Sequence, residues 1–198
     1  SFKKWFKGSQ VKDKDGKPLV VYHGSDMVFD EFKSYLGGNF FTVDPEDADR
    51  YTVSAVRGSP NITPVYLSIK NPLNIIDEVK KSTTTEEGLI GFRTKIFVNE
   101  LSKKDKRFKD LKLDTMWDGE PFYSSLFENP TEDNFMEFVK NLGYDGIALE
   151  ENNILNFVAF EPTQIKSIFN KGTFNPHDPR ISFRMAPTNL VTPLAKIY

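Results

Sequence analysis

Apolar residues fall along this chain in short runs of differing period. Pro18-Leu19-Val20-Val21-Tyr22-His23 is a compact, partly β-branched run closed by Gly24-Ser25, the pattern of a buried strand. Gly37-Gly38 releases a second short strand, Asn39-Phe40-Phe41-Thr42. Val43-Asp44-Pro45 then reads as a helix start, with Asp44 at the N-cap, Pro45 at N1 and Asp47 at N3. The helix is expected from Glu46 to about Val56, carrying Ala48, Tyr51 and Ala55, with Gly58-Ser59-Pro60 as its stop. Thr63 to Ile69 alternates, placing Val65, Leu67 and Ile69 on one face, and Asn71-Pro72 ends it. Leu89, Ile96, Phe97 and Leu101 suggest a helix, and Trp117 to Pro121 a loop. Phe135, Phe138, Val139 and Leu142 follow the i, i+3, i+4, i+7 rule of an amphipathic helix, which Gly143 caps. Gly146 to Glu150 and Leu155 to Phe160 are strands joined by Glu151-Asn152-Asn153. Pro162 to Phe169 is expected to turn back over the sheet, and the polar stretch from Asn170 to be an extended arm. Many short strands with a few helices, and no regular βαβ alternation, mean an α+β fold.

Composition narrows the chemistry. A chain of 198 residues is one domain. It buries roughly 70% of its unfolded surface, and 18 phenylalanines put many rings in the core. The absence of cysteine excludes a disulfide framework, a thiolate nucleophile and a thiolate-held metal. The histidine pair, His23 and His177, does not furnish a histidine-rich metal site. A net charge of −2 argues against a general nucleic-acid-binding surface. No apolar run approaches the ~20 residues that span a bilayer. The basic run Lys103 to Arg107 reads as a solvated helix end, and His177 as a surface residue. Opening at Ser1 rather than Met suggests a processed or partial chain.

Taken singly, the chemical signals are weak. His23 at a strand end defaults to a satisfied, partly buried histidine. Phe40 and Phe41 default to core, and Tyr51 to core with its hydroxyl at the rim. No phosphate-binding loop or dinucleotide fingerprint is present. The order of the set is more informative. A strand ends in Tyr22-His23-Gly24-Ser25, a Gly-x-Phe-Phe-Thr strand follows, then a helix with Tyr51, then the strand Val65 to Ile69.

This order resembles the His-Tyr-Glu type of the ADP-ribosyltransferase superfamily. It is more closely similar to the ADP-ribosyltransferase domains of phage and mobile-element polyproteins and polymorphic toxins. The matching motifs are the opening from Trp5 to Ser25, Asn71-Pro72-Leu73, Gly143 to Gly146, Val158 to Ser167, and Gly172 to Pro176. The resemblance implies split antiparallel β-sheets with flanking helices in one domain over 1–184. Residues 76–130 would be a variable, mostly helical insertion, and 185–198 an extended tail. It also implies NAD+ as substrate, without a metal. His23 would bond the adenosine ribose and the Gly24 backbone the carboxamide. Tyr51 and Phe41 would sandwich the nicotinamide, with Ser25, Phe40 and Thr42 beside it.

In this resemblance the position of the family's reacting-ribose Glu falls on Asn156. Loss of one preorganised electrostatic group suggests a rate cost of about 10²–10³. Three outcomes follow. The protein is a slow transferase or NAD+ glycohydrolase; or Glu150 or Glu151 supplies the carboxylate; or only the fold is kept, as a virion or interaction module. The implied partner is a macromolecular acceptor, protein or nucleic acid, met in a virion or delivery-polyprotein context, with the target-cell cytoplasm as the place of action. No membrane partner is expected.

Overall fold

The computed structural model describes residues 1–26, 28–33, 37–52, 60–83, 90–111, 113, 135–172 and 174–182. The helix expected from Glu46 through Tyr51 ends earlier, at Asp49, and Arg50, Tyr51 and Thr52 form a turn; the rest of that expected helix, 53–56, the loop at Trp117 to Pro121 and the tail 185–198 lie outside the described residues.

The α+β reading holds. The strands are β1 (Val21–Ser25), β2 (Asn39–Thr42), β3 (Asn61–Leu67), β4 (Pro72–Asn74), β5 (Gly146–Glu151), β6 (Ile154–Ala159) and β7 (Ile165–Ser167). The α-helices are α1 (Phe2–Phe6), α2 (Pro45–Asp49), α3 (Ile76–Thr83), α4 (Ile90–Lys104) and α5 (Phe135–Asn141). A 3-10 turn, Lys106–Asp110, follows α4, and another, Pro162–Gln164, precedes β7. Together the strands form one 7-stranded sheet in the order β4-β5-β6-β2-β1-β3-β7. Every pairing is antiparallel except β4 with β5. Pro72 opens the edge strand β4, where a missing N–H costs no ladder bond. Within 76–130 the described residues include α3, α4 and the 3-10 turn Lys106–Asp110.

Local chemistry explains the main boundaries. Asp44 caps α2 by accepting the Glu46 N–H at 2.9 Å, with Pro45 in the first turn. The β5–β6 hairpin turns on Asn152 and Asn153 alone, at φ 50° and 63°. Asparagine tolerates this left-handed geometry, which matches the twist of a two-residue hairpin. Glu151 is therefore in the strand, paired with Ile154, and not in the turn.

Two expectations change at the C-terminal end. Pro162 to Phe169 does not turn back over the sheet: its middle becomes β7, which extends the sheet edge beside β3. The stretch after Asn170 is not an extended arm, since Ile181 is buried and exchanges backbone hydrogen bonds with Ser167 and Asp30.

The two faces of the sheet carry separate cores. Leu73, Ile147, Leu149, Val158 and Phe160 pack against α3, α4 and α5. Val21, Phe41, Val65, Phe157 and Ala159 pack against Val11, Phe32 and Ile181 from loops. Several motifs that suggested the family prove to be one structural staple. The Asp145 carboxylate accepts the Lys70 and Asn71 N–H groups at 2.8 and 2.7 Å. Gln164 donates to the Asp145 carbonyl at 2.8 Å, and Trp5 donates to the Thr163 carbonyl at 3.1 Å. Opening, middle and closing segments are thereby tied together at the Lys70-Asn71 turn that precedes β4.

Candidate active site

The sheet is weakest in its middle. β1 and β3 share five registered pairs and β2 and β6 four, but β1 and β2 share only Tyr22 with Thr42. Past that pair the strands part. The Phe40 carbonyl there accepts from a side chain, with His23 Nδ1 at 2.8 Å. A carbonyl has no proton to give, so Nδ1 carries the hydrogen. The half-buried ring is walled by Phe32 edge-on at 4.9 Å, Phe29 edge-on at 6.0 Å and Phe41 tilted at 5.5 Å. Burial holds the imidazole pKa below its ordinary value, outweighing the bond to Phe40. The ring is therefore neutral at pH 7, with Nε2 as a lone-pair acceptor.

A pH signature follows. With the folded pKa below the ordinary 6.5, the unfolded chain binds the proton more readily. His23 thus contributes stability that is full above 6.5 and lost as pH falls from there through the folded pKa. The His23→Gln variant is expected to flatten the decline in urea midpoint below that pH. Parallel wild-type and variant profiles would contradict this.

Gly24 sits on the other face. A Cβ there would lie 1.9 Å from the Ala48 carbonyl oxygen at the C-terminal end of α2. The glycine is required because helix backbone rests directly on strand backbone. The same contact places Tyr51, whose Cβ would be 3.3 Å from that added atom. Tyr51 follows the last turn of α2, donates its N–H to the Ala48 carbonyl at 3.2 Å and is 58% exposed.

Strand alternation sorts the remaining candidates. Phe40, Thr42 and Asn156 share the Gly24 face, through the pairs Tyr22 with Thr42 and Thr42 with Asn156. His23, Ser25 and Phe41 share the opposite face. Phe41 is 1% exposed and offers no free ring face, so the expected sandwich with Tyr51 is not formed; Phe40, 37% exposed, is the accessible ring. Thr42 is buried and its hydroxyl accepts the Asp44 N–H at 3.2 Å, which ties β2 to the α2 cap. Asn156 is buried and donates its amide to the Ile154 carbonyl at 3.0 Å. Glu151, on the same face and diagonal to Asn156, stands about 7–8 Å away by sheet geometry. Glu150 points to the other face and pairs with Lys80 at 2.8 Å. His177 lies apart in an exposed turn. Phe29 and Phe32 are further walls around His23; their three-residue spacing after the His-Gly-Ser end was the available signal.

An α+β domain built on one mixed 7-stranded sheet is consistent with the ADP-ribosyltransferase class. Residues 13–174, about four-fifths of the chain, match the family described as ADP-ribosyltransferase in polyvalent proteins, and the chain belongs to that family. Enzymes of this class use NAD+ as the ADP-ribose donor. No curated protein matches the chain. A solved chain titled as an anti-CRISPR protein is similar at 13% identity, over 72% of this chain and 89% of that one, with a TM-score of 0.33.

Proposed function

We propose that this domain is an NAD+-dependent mono-ADP-ribosyltransferase of the phage or toxin type, acting on a macromolecular acceptor. The observation that carries this reading is the tautomer-fixed, neutral His23 at the parting of β1 and β2. Nε2 accepts a ribose hydroxyl, which an imidazolium would not do. The Gly24 backbone recognises the carboxamide, and Tyr51 with Phe40 flanks the nicotinamide ring. Phe40 replaces Phe41 in that role because only Phe40 of the two is accessible.

The reaction is displacement at C1′ of the nicotinamide ribose. The C–N bond breaks and nicotinamide leaves as a neutral molecule with the bonding pair. C1′ becomes oxocarbenium-like, by analogy with glycoside cleavage. The acceptor atom then forms the new bond at C1′ and gives its proton to solvent. Stabilising the transient positive charge is the main task, and an amide at Asn156 supplies hydrogen bonding without charge. Glu151, on the Asn156 face, is better placed to add a carboxylate than Glu150, which faces away and is held by Lys80. A second reading, an inactive fold kept as a virion or interaction module, draws on the Asn156 amide being turned to the Ile154 carbonyl.

Nicotinamide release from NAD+, run beside labelled NAD+ in a lysate, separates these readings. The expected result is release with label on a macromolecular band, both lost in Tyr51→Ala. Release without transfer means a glycohydrolase. Neither, at high protein concentration, overturns the enzyme reading.

A further inference from the structure

The wall around His23 is held from behind by a lysine that the proposed chemistry does not use. Lys166, on β7, is 1% exposed. Its ammonium donates to the carbonyls of Asp178 and Arg180 at 2.5 and 2.6 Å. Ordering a buried lysine costs side-chain entropy and desolvation, so what it orders must repay both. It orders a short strap, residues 178–181. The Ile181 carbonyl accepts from Ser167 N–H at 2.7 Å, and Ile181 N–H donates to the Asp30 carbonyl at 2.9 Å. Arg180 also pairs with Glu31 in an isolated antiparallel bridge. The loop gripped in this way is the one that carries Phe29 and Phe32. Those rings pack on each other at 4.6 Å and stand edge-on to the His23 ring. Ile181 itself joins the buried cluster that contains Phe32 and Phe41. A continuous path therefore runs from the Lys166 ammonium through the strap and the aromatic loop to the imidazole.

We infer that Lys166 is a positioning residue for the NAD+ site: its ammonium fastens the 178–181 strap over the 28–33 loop, and that loop fixes the His23 ring orientation. The inference deepens the transferase reading and rests on it for its consequence in catalysis, but the effect on His23 is measurable without NAD+. Lys166 touches no reacting group. Its loss frees the loop, and the His23 ring is then no longer confined to the orientation that keeps Nδ1 on the Phe40 carbonyl. The expected penalty falls on binding more than on bond breaking, because His23 holds substrate and transition state alike.

The test uses ring nitrogen spectra of the whole chain in the His177→Gln background, where His23 is the only histidine. The parent is expected to show the neutral ring protonated at Nδ1 alone. In Lys166→Met the ring is expected to become a mixture of tautomers, and Lys166→Arg, which keeps donors for both carbonyls, to restore the single form. Where nicotinamide release is measurable, KM for NAD+ is expected to rise about 2- to 30-fold in Lys166→Met, the range for coupling along a packed path, with kcat nearly unchanged. If Lys166→Met does not fold, Lys166→Gln, which keeps one donor group, carries the same comparison. A single unchanged His23 tautomer in a folded Lys166→Met protein, or in Lys166→Gln where that one does not fold, overturns the positioning role. Tautomer mixing in a protein that never cleaves NAD+ instead overturns the transferase reading and leaves the strap's role standing.

Discussion

Asn156→Glu is expected to raise nicotinamide release by about 10²–10³, the usual worth of one preorganised electrostatic group at a charge-developing centre. Asn156 lies between Thr42 on β2 and Leu149 on β5, on the face that also carries Gly24 and Phe40. A carboxylate there meets the oxocarbenium charge that an amide cannot. The position is 8% exposed, so burial raises the new carboxyl's pKa. The gain should therefore grow with pH as the group ionises, and the fold should lose about 1–3 kcal/mol for the buried polar change. If Glu151 already supplies the charge, Glu151→Gln lowers the wild-type rate while Glu150→Gln, which breaks the Lys80 pair on the other face, changes it little. An Asn156→Glu protein that folds, binds NAD+ and releases nicotinamide no faster than wild type would remove position 156 from the mechanism.

Gly24→Ala is the second large effect. The added methyl would lie 1.9 Å from the Ala48 carbonyl oxygen and 2.9 Å from its carbon. Both are backbone atoms of α2, so no side-chain rotation relieves the clash and the helix end must move. Overpacking of this kind costs about 1–3 kcal/mol, or more where the backbone shifts. For a domain of this length, each kcal/mol lowers Tm by about 2–4 °C. Tyr51 moves with the helix end, and a displacement near 1 Å at a positioning group is worth about 10²-fold in rate. The expected variant is folded, less stable and strongly impaired in nicotinamide release. Wild-type Tm and wild-type release in Gly24→Ala would show that α2 does not seat Tyr51 as described.

The elements nearest the site were the most legible in the sequence. The Gly-Gly before Asn39 and the Asp44-Pro45 cap follow local rules and are present in the fold, while the strand expected from Pro18 to His23 and closed by Gly24-Ser25 runs instead from Val21 through Ser25, because Gly24 and Ser25 pair with β3. Other features depend on partners distant in the chain. β4 and β7 have three residues each, too short for any periodic signal; pairing to β5 and β3 creates them. Phe40 and Phe41 are both apolar neighbours, so alternation alone does not say which faces in. The single pair between Tyr22 and Thr42 decides it, burying Phe41 under His23 and leaving Phe40 accessible. The Gly24 requirement was visible as a glycine, but its cause, the Ala48 carbonyl, belongs to packing. Lys166 was read only as part of a motif, because a lysine in a short strand gives no sign that two carbonyls twelve and fourteen residues later will enclose it.

In the proposed transferase NAD+ occupies the parting between β1 and β2, with His23 Nε2 as an acceptor. Titrating NAD+ into the protein while following the His23 and His177 ring nitrogens tests it most directly. The expected result is a saturable shift of His23 Nε2 as it takes up a hydrogen bond, with Nδ1 still protonated, His177 unmoved and the shift weakened in Tyr51→Ala. A His23 ring that stays unmoved at saturating NAD+, or that moves no more than His177, would contradict it.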